Sequence, residues 1–208
     1  MDSCANPNTL DENSTNKPVT FMNKVSIRIA TVEDSTAIAH VHVETWQDAY
    51  RGIVADKFLA NIGVDKRAAM WLERLTAETE RRPLVFVAED VGEIVGFVGG
   101  GKTRQPHLPF DAELYAFYVK PGRQRESIGR ELTSALVGAL IERKFSGLIV
   151  GVLEENRPGR RFYESIGGKL VGSQSLTIGD ESHSEVFYGW TAIDSVGSQV
   201  AESDGSQH

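Results

Sequence analysis

Residues 113–136 read ELYAFYVKPGRQRESIGRELTSAL and place a strand and a helix on either side of one short turn. Leu114 to Val119 is rich in aromatic and β-branched residues, which predicts a strand that the following Pro-Gly pair ends. From Ile128 onward, apolar residues recur three and four positions apart, which predicts a helix. The turn at 124–129 would then present the unpaired N–H groups of a helix start, flanked by arginines. That combination suits a diphosphate.

This turn resembles the acetyl-CoA signature of the GNAT N-acetyltransferase superfamily, a Gln/Arg-x-x-Gly-x-Gly/Ala run after a strand that ends in Val-x-Pro. The run here is Gln124-x-x-Ser127-x-Gly129, with a serine in place of the first glycine. A serine still offers its N–H, but it would be strained if the position requires a positive φ. The resemblance implies an acetyl-CoA site formed by Phe117, Tyr118, Val119, Gln124, Arg125, Glu126, Ser127, Ile128, Gly129 and Arg130.

A second block, NRPGRRFYESIGG at 156–168, resembles the family's Asn-x-x-(Ala)-x-x-x-Tyr-Glu-x-x-Gly-Phe segment. The resemblance implies that Asn156 hydrogen-bonds the pantetheine or phosphate arm and that Tyr163 points at the thioester sulfur. A departing thiolate needs a proton, which a phenol can supply as a general acid. The alternative is that Tyr163 is a core aromatic on a short helix.

The acceptor amine is cationic in water, so a base must take its proton. Glu113 is the candidate, because in the histone-type branch of the family a glutamate at this spacing is the base. Its even separation from Val119 predicts that it shares a strand face with Tyr115 and Phe117. In the ribosomal N-terminal branch the base lies five residues before the asparagine, where this chain has Gly151. That route is therefore absent, and a solvated strand-edge carboxylate is the alternative for Glu113.

Acceptor recognition is expected from the first helices. Trp46 and Tyr50 lie where the resemblance places the acceptor site, and aromatic rings there can hold an alkylammonium group by cation–π contact. Trp46 also lies at core spacing in its predicted helix, so a role in the core is the alternative.

Composition and pattern define the domain. The chain has 208 residues, a net charge of −7 and 40% hydrophobic residues, which suits one soluble globular domain. We expect this domain at 23–193, between polar, disordered tails at 1–22 and 194–208. The predicted order β-α-α-β-β-β-α-β-α-β-β indicates an α/β fold whose mixed, mostly antiparallel sheet is flanked by helices, as in GNAT proteins.

Several kinds of partner are disfavoured. The single cysteine, Cys4, lies in the first tail, which indicates a reducing, cytoplasmic location and excludes an acetyl-cysteine intermediate within the domain. No apolar run is long enough to span a membrane, the acidic charge argues against nucleic acid, and the histidines show no metal-ligand spacing. The expected partners are acetyl-CoA as co-substrate and a small-molecule or peptide amine, without a metal, and a homodimer stays open.

Gly96 to Thr103, GFVGGGKT, matches the Walker A pattern letter for letter. That motif requires a helix beginning at its lysine, whereas Pro106 and Pro109 follow closely and forbid one. A glycine-rich strand end is favoured instead. The leading hypothesis is therefore a direct N-acetyltransferase. The alternatives are a non-catalytic acyl-CoA sensor and a P-loop nucleotide-binding protein.

Overall fold

A seven-stranded sheet organises the chain, of which a computed structural model describes residues 25–78 and 82–196. The strands are β1 (Ser26–Ile29), β2 (Leu84–Asp90), β3 (Glu93–Lys102), β4 (Ala112–Val119), β5 (Leu148–Leu153), β6 (Lys169–Ile178) and β7 (Glu181–Trp190). The helices are α1 (Ser35–Ala49), α2 (Asp56–Ala60), α3 (Val64–Thr76), α4 (Ile128–Glu142) and α5 (Arg157–Ser165). The short α2 had no clear signal in the sequence. The other elements confirm the predicted order.

The strand order is β1-β2-β3-β4-β5-β7-β6. β4 and β5 run parallel, and the other neighbouring pairs of the described sheet are antiparallel. The predicted mixed, mostly antiparallel sheet is therefore confirmed. None of the helices in the described part of the chain has the length and apolarity needed to cross a membrane.

Two cores cover the two faces of the sheet. On one face, α4 contributes Ile128, Leu132 and Leu136 to a core that also contains Val150 and Val152 of β5. On the other face, α1 and α3 contribute Ile38 and Trp71 to a second core that contains Val87 and Phe97 of the sheet. We call these the α4 face and the α1 face. Both form because apolar side chains at helical spacing meet alternating apolar side chains of the strands.

β4 and β5 pair over a short distance and then separate. Their register runs from Ala112 opposite Leu148 to Leu114 opposite Val150. Beyond that point, among the described strands, β4 pairs only with β3 and β5 only with β7. One backbone edge of each strand is therefore left without a partner strand. We call the gap between residues 115–119 of β4 and 151–153 of β5 the wedge.

A β-bulge in β4 alters which side chains share a face. The register with β3 skips Tyr115, so Tyr115 and Ala116 both face α1. Tyr115 packs beneath Arg104, whereas Phe117 lies on the α4 face. The prediction that Glu113, Tyr115 and Phe117 share a face is therefore wrong for Phe117, because even spacing predicts a common face only when no residue is inserted.

Gly96 to Lys102 of the Walker-like segment lie in β3, and the segment does not lead into a helix. Gly96 and Gly100 face α4, and an added Cβ would meet Leu132 at 3.3 Å and Leu136 at 3.0 Å. The glycines therefore allow α4 to pack closely on the sheet. After Lys102 the chain enters a loop rather than the helix that a nucleotide site requires.

The folded part extends past residue 193, where the sequence pattern placed its end. Ile193 and Val196 are buried in the core of the α4 face. The predicted tail at 1–22 and the residues after 196 lie outside the described part of the chain.

Candidate functional site

The turn at 124–129 lies between the end of β4 and the start of α4 and carries unbonded backbone donors. Arg123 N–H bonds the carbonyl of Lys120 at 3.0 Å, and Arg130 N–H bonds the carbonyl of Ser127 at 2.9 Å. Between them, the N–H groups of residues 124–129 have no hydrogen-bond acceptor among the described residues. Unbonded N–H groups at a helix start form a region of positive potential.

Two residues of this turn have left-handed backbone geometry. Arg125 has φ 69° and Ser127 has φ 61°. Left-handed residues alternating with right-handed ones direct successive N–H groups to one side, which makes an anion-binding concavity. Ser127 thus adopts the positive φ that would strain it, at a cost of about 1 kcal/mol relative to glycine.

Charged side chains around the turn divide into two groups. Arg123 is engaged with Asp90 and Glu126, each at 2.8 Å. Arg125 and Arg130 form no ion pair within the described ranges, so their charge is available to a ligand. The turn therefore combines backbone donors with two uncommitted cations.

The helix residues after the turn serve through their backbone. Ile128 is buried in the core, so only its N–H faces the turn. At Gly129, an added Cβ would stand 2.9 Å from Cζ of Phe117. The ring of Phe117 therefore occupies the place of a side chain at 129, and it stacks on Phe162 at 5.0 Å.

The other β4 residues predicted to bind cofactor face different ways. Val119 is buried in the core of the α4 face. Tyr118 lies on the α1 face, where Trp46 Nε1–H donates to its hydroxyl at 2.9 Å. Because their side chains lie on different faces, residues 117–119 can all contact a ligand in the wedge only through their backbone groups.

Tyr163 projects from α5 into the core beside the wedge. It is 6% exposed, and its ring lies 6.4 Å from that of Phe117. Burial raises the pKa of its hydroxyl well above the ordinary value, so the phenol stays protonated at neutral pH. The hydroxyl has no hydrogen-bond partner in the described part of the chain. Tyr163 is thus both a core aromatic and an uncommitted proton donor.

Asn156, Tyr50 and Trp46 come together on the α1 side of the wedge. Asn156 caps α5, its Oδ1 accepting the N–H of Gly159 at 3.0 Å. Burial raises the pKa of the Tyr50 hydroxyl, and the neighbouring Asn156 side chain partly offsets that rise. The Trp46 ring lies 4.7 Å from that of Tyr50. The structure therefore brings the two predicted acceptor residues next to one predicted cofactor residue.

Glu113 is committed to an ion pair. It is 3% exposed and accepts hydrogen bonds from the backbone N–H of Arg104 at 2.7 Å and from Arg104 Nε at 3.1 Å, as well as from Nη2. The Arg104 guanidinium also lies over the Tyr115 ring at 4.4 Å. Both carboxylate oxygens have partners, so action as a base requires this pair to open.

One carboxylate beside the wedge has no signal in the sequence. Glu185 of β7 extends over Gly151 of β5, and Oε1 lies 2.5 Å from the position that a Cβ at 151 would occupy. Only the antiparallel pairing of β5 with β7 brings these residues together. A pattern confined to one segment cannot reveal a contact between two distant strands.

Comparison with known proteins identifies relatives over most of the chain. The family described as the Acetyltransferase (GNAT) family matches residues 44–168, from within α1 to just beyond α5. The uncharacterized N-acetyltransferase YuaI of Bacillus subtilis is 32% identical over 167 residues, which cover 80% of this chain and 92% of that protein. A probable N-acetyltransferase of Mycobacterium tuberculosis is 28% identical over 144 residues, or 67% and 77% of the two chains.

Solved structures share the fold at lower identity. The PaiA N-acetyltransferase of Thermoplasma acidophilum, in complex with coenzyme A, has a TM-score of 0.66 at 20% identity and covers 80% of this chain and 99% of that one. The YncA structure of Salmonella typhimurium, with acetyl-CoA, has a TM-score of 0.59 at 19% identity and covers 81% and 94%.

Proposed function

Because the chain belongs to the GNAT family of acetyltransferases, we propose that it transfers the acetyl group of acetyl-CoA directly to a primary amine of a small molecule or peptide. The observation that carries this proposal is the wedge, which has unbonded turn amides at one end and the Tyr163 hydroxyl beside it. That arrangement suits a long ligand with an anionic end and a reactive end.

The polar groups along the wedge suit acetyl-CoA. The pantetheine arm carries amide groups, which can pair with the free edges of β4 and β5 in the manner of an added strand. The diphosphate then meets the N–H groups of residues 124–129, and Arg125 and Arg130 add charge-assisted contacts. Asn156, at the start of α5, can offer its amide to the arm.

Each reacting group then has a candidate partner. The amine attacks the acetyl carbon, the C–N bond forms and the C–S bond breaks. Backbone N–H groups near Phe117, on the free edge of β4, would stabilise the negative charge that develops on the carbonyl oxygen. Tyr163 would protonate the departing thiolate. The single cysteine, Cys4, lies in the N-terminal tail predicted from the sequence, so direct attack is favoured over an acetyl-cysteine intermediate.

Ligand-dependent stability tests the binding step. Saturating acetyl-CoA should raise the melting temperature, because a ligand that binds only the folded state stabilises it by about 2.7 kcal/mol at one hundred times Kd. Magnesium ATP should not. Arg130→Gln should weaken acetyl-CoA binding, whereas Arg143→Gln, at the other end of α4, should leave it unchanged. Stabilisation by ATP alone would overturn the proposal.

Release of free thiol tests the chemical step. Acetyl-CoA is supplied with a panel that contains a polyamine, an amino acid, an aminoglycoside and a peptide with a free N-terminus. We expect acceptor-dependent thiol release with at least one of these classes. Tight acetyl-CoA binding with no thiol release to any amine would identify a sensor instead of an enzyme.

A further inference from the structure

Gly151 is the first residue of β5 beyond its pairing with β4, so it lies at the apex of the wedge. Glu185 of β7 lies opposite Leu153 of β5 and therefore diagonally across from Gly151. A long side chain can span that diagonal distance. An added Cβ at 151 would stand 2.5 Å from Oε1 and 2.8 Å from Cδ of Glu185. The carboxylate thus occupies the space that any other residue at 151 would fill.

The Glu185 carboxylate and the Tyr163 ring belong to opposite faces of the sheet. Val150 and Val152 pack on the α4 face together with Tyr163. Gly151 lies between these two valines and therefore lies on the α1 face. Leu153 lies on the same face, where it packs with Tyr50. A thioester placed in the wedge would lie between the Tyr163 side chain, which enters from the α4 face, and the carboxylate on the α1 face.

The hydrogen bonds of Glu185 hold it in place and leave one oxygen available. Oε2 accepts the side-chain N–H of Gln174 on β6 at 2.6 Å. Oε1 has no hydrogen-bond donor within the described ranges, and this is the oxygen nearest Gly151. Glu113 differs, because Arg104 donates to both of its oxygens.

We propose that Glu185 is the general base of the acetyl transfer and that Oε1 takes a proton from the acceptor ammonium at the apex of the wedge. This inference rests on the proposed acetyltransferase function. A carboxylate there also attracts the cationic acceptor before it reacts. Gly151, where a side chain would exclude the carboxylate, makes room for it and is a positioning residue.

The protons balance as follows. The acceptor nitrogen changes from ammonium to amide and so loses two protons. Glu185 takes the first, which frees the lone pair that forms the C–N bond, and later releases this proton to solvent. The second proton leaves the nitrogen as the C–S bond breaks. It returns to Tyr163, whose own proton goes to the CoA sulfur. Both side chains therefore return to their starting state.

The titratable and charged groups near Glu185 lie on β7 and in the segments that follow α1 and β3. Tyr50 follows α1 and Arg104 follows β3, and both are within electrostatic range of the Glu185 carboxylate. His183 lies two residues earlier on the same face of β7, with its Nε2 buried and without a hydrogen bond among the described residues. A pH profile must therefore be compared between variants rather than assigned from its shape in one protein.

Glu185→Gln tests the assignment through its pH–rate profile. The profile is measured in single turnover with the best acceptor of the amine panel, and then a second time for the slow release of thiol when water is the acceptor. We expect the chemical step at pH 7 to fall by about 10²-fold or more, with the acetyl-CoA Kd within threefold of wild type. The rate should then rise about tenfold per pH unit, because only the neutral amine reacts. Glu155→Gln, an exposed carboxylate after β5, is the control and should match wild type.

Gly151→Ala supplies an independent arm, because it retains Glu185 and displaces the carboxylate. Its chemical step should fall at least tenfold, whereas Gly138→Ala, where an added Cβ meets nothing within 4 Å, should not affect the rate. A wild-type profile in Glu185→Gln, even with a lowered melting temperature, would give the residue a structural role only. If Glu113→Gln instead shows the lowered rate and the tenfold rise per pH unit, the general base is Glu113. Wild-type protein that binds acetyl-CoA but releases no thiol to amine or water would overturn the proposed function itself.

Discussion

The indole N–H of Trp71 donates a hydrogen bond to Nδ1 of His42 at 3.2 Å, inside the core of the α1 face. Nδ1 must therefore be unprotonated. The His42 ring also stacks on Tyr118, with ring centroids 4.9 Å apart. Burial lowers the pKa of His42 to about 3, and the charges of Arg67 and Arg74 add to this effect. A neutral histidine thus supports the tyrosine at the edge of the wedge.

Stability should therefore decrease on acidification. Because the folded-state pKa lies below the ordinary value of 6.5, the unfolded chain binds a proton that the folded chain refuses. The free energy of unfolding should fall by about 1.4 kcal/mol per pH unit as pH drops below 6.5. Urea denaturation between pH 7 and 4.5 measures this loss. The measurement stops at pH 4.5 because titration of Asp34 also lowers stability at lower pH. The hydrogen bond from Arg28 lowers the pKa of Asp34, so protonation of this carboxylate would reduce the free energy of unfolding further.

Two histidine variants assign that pH dependence. His42→Gln keeps an acceptor for Trp71 and removes the titration, so its unfolding free energy should be nearly flat between pH 6.5 and 4.5. His40 is exposed on the same helix, and His40→Gln should retain the wild-type slope. An unchanged slope in His42→Gln would assign the acid sensitivity to another group.

The strand-turn-helix of residues 113–136 could be predicted from the sequence, because its signals are local. β4 ends at Val119 and α4 begins at Ile128, as the residue pattern indicated. The bulge at Tyr115 and the approach of Glu185 to Gly151 could not be predicted. Both depend on pairing with another strand, and one inserted residue is enough to reverse the face on which a side chain lies. Roles assigned by resemblance to Tyr163 and Asn156 stay predictions.

Ser127→Gly should stabilise the protein. The serine has φ 61°, where a residue with a Cβ is disfavoured by roughly 1 kcal/mol relative to glycine. Part of this gain is offset because glycine has more freedom in the unfolded chain, so we expect an increase of up to about 1 kcal/mol by urea denaturation. Affinity for acetyl-CoA should hold or improve, since the N–H stays in place.

Ser127→Ala is the matched variant for that test, because it keeps the strain and removes only the hydroxyl. It should bind acetyl-CoA as wild type does. A tenfold loss of affinity in both variants would show that the hydroxyl itself contacts the cofactor. Unchanged stability in Ser127→Gly would mean that the turn relaxes to accommodate the serine.

Truncation after residue 193 should destabilise the domain, whereas truncation after residue 196 should not. Val196 is fully buried in the core of the α4 face, and burial of a valine side chain contributes about 1.5–3 kcal/mol. The two proteins differ by residues 194–196, of which Val196 is the buried one. Chemical denaturation of both against the full chain measures the difference. Equal stability of the two truncated proteins would place Val196 outside the cooperative core.

Tyr163→Phe separates packing from proton transfer. Phenylalanine fills the same buried space, and the hydroxyl it removes has no hydrogen-bond partner among the described residues, so stability and acetyl-CoA affinity should change little. Tyr188→Phe is the control, because the Tyr188 hydroxyl bonds Glu164 and Arg160. Its loss should lower stability and leave the chemical step intact.

If the Tyr163 phenol protonates the leaving thiolate, the chemical step of Tyr163→Phe should slow by about the 10²–10⁴ typical of general acids. The CoA thiol has a pKa near that of cysteine, about 8.5, so the thiolate leaves readily and the loss should fall at the lower end. Single-turnover measurement is needed, because slow product release can hide a slower chemical step. The deficit should also diminish with acyl donors whose thiols are more acidic, since these depend less on protonation. An unchanged single-turnover rate would assign Tyr163 to the core alone and place the proton donor elsewhere in the wedge.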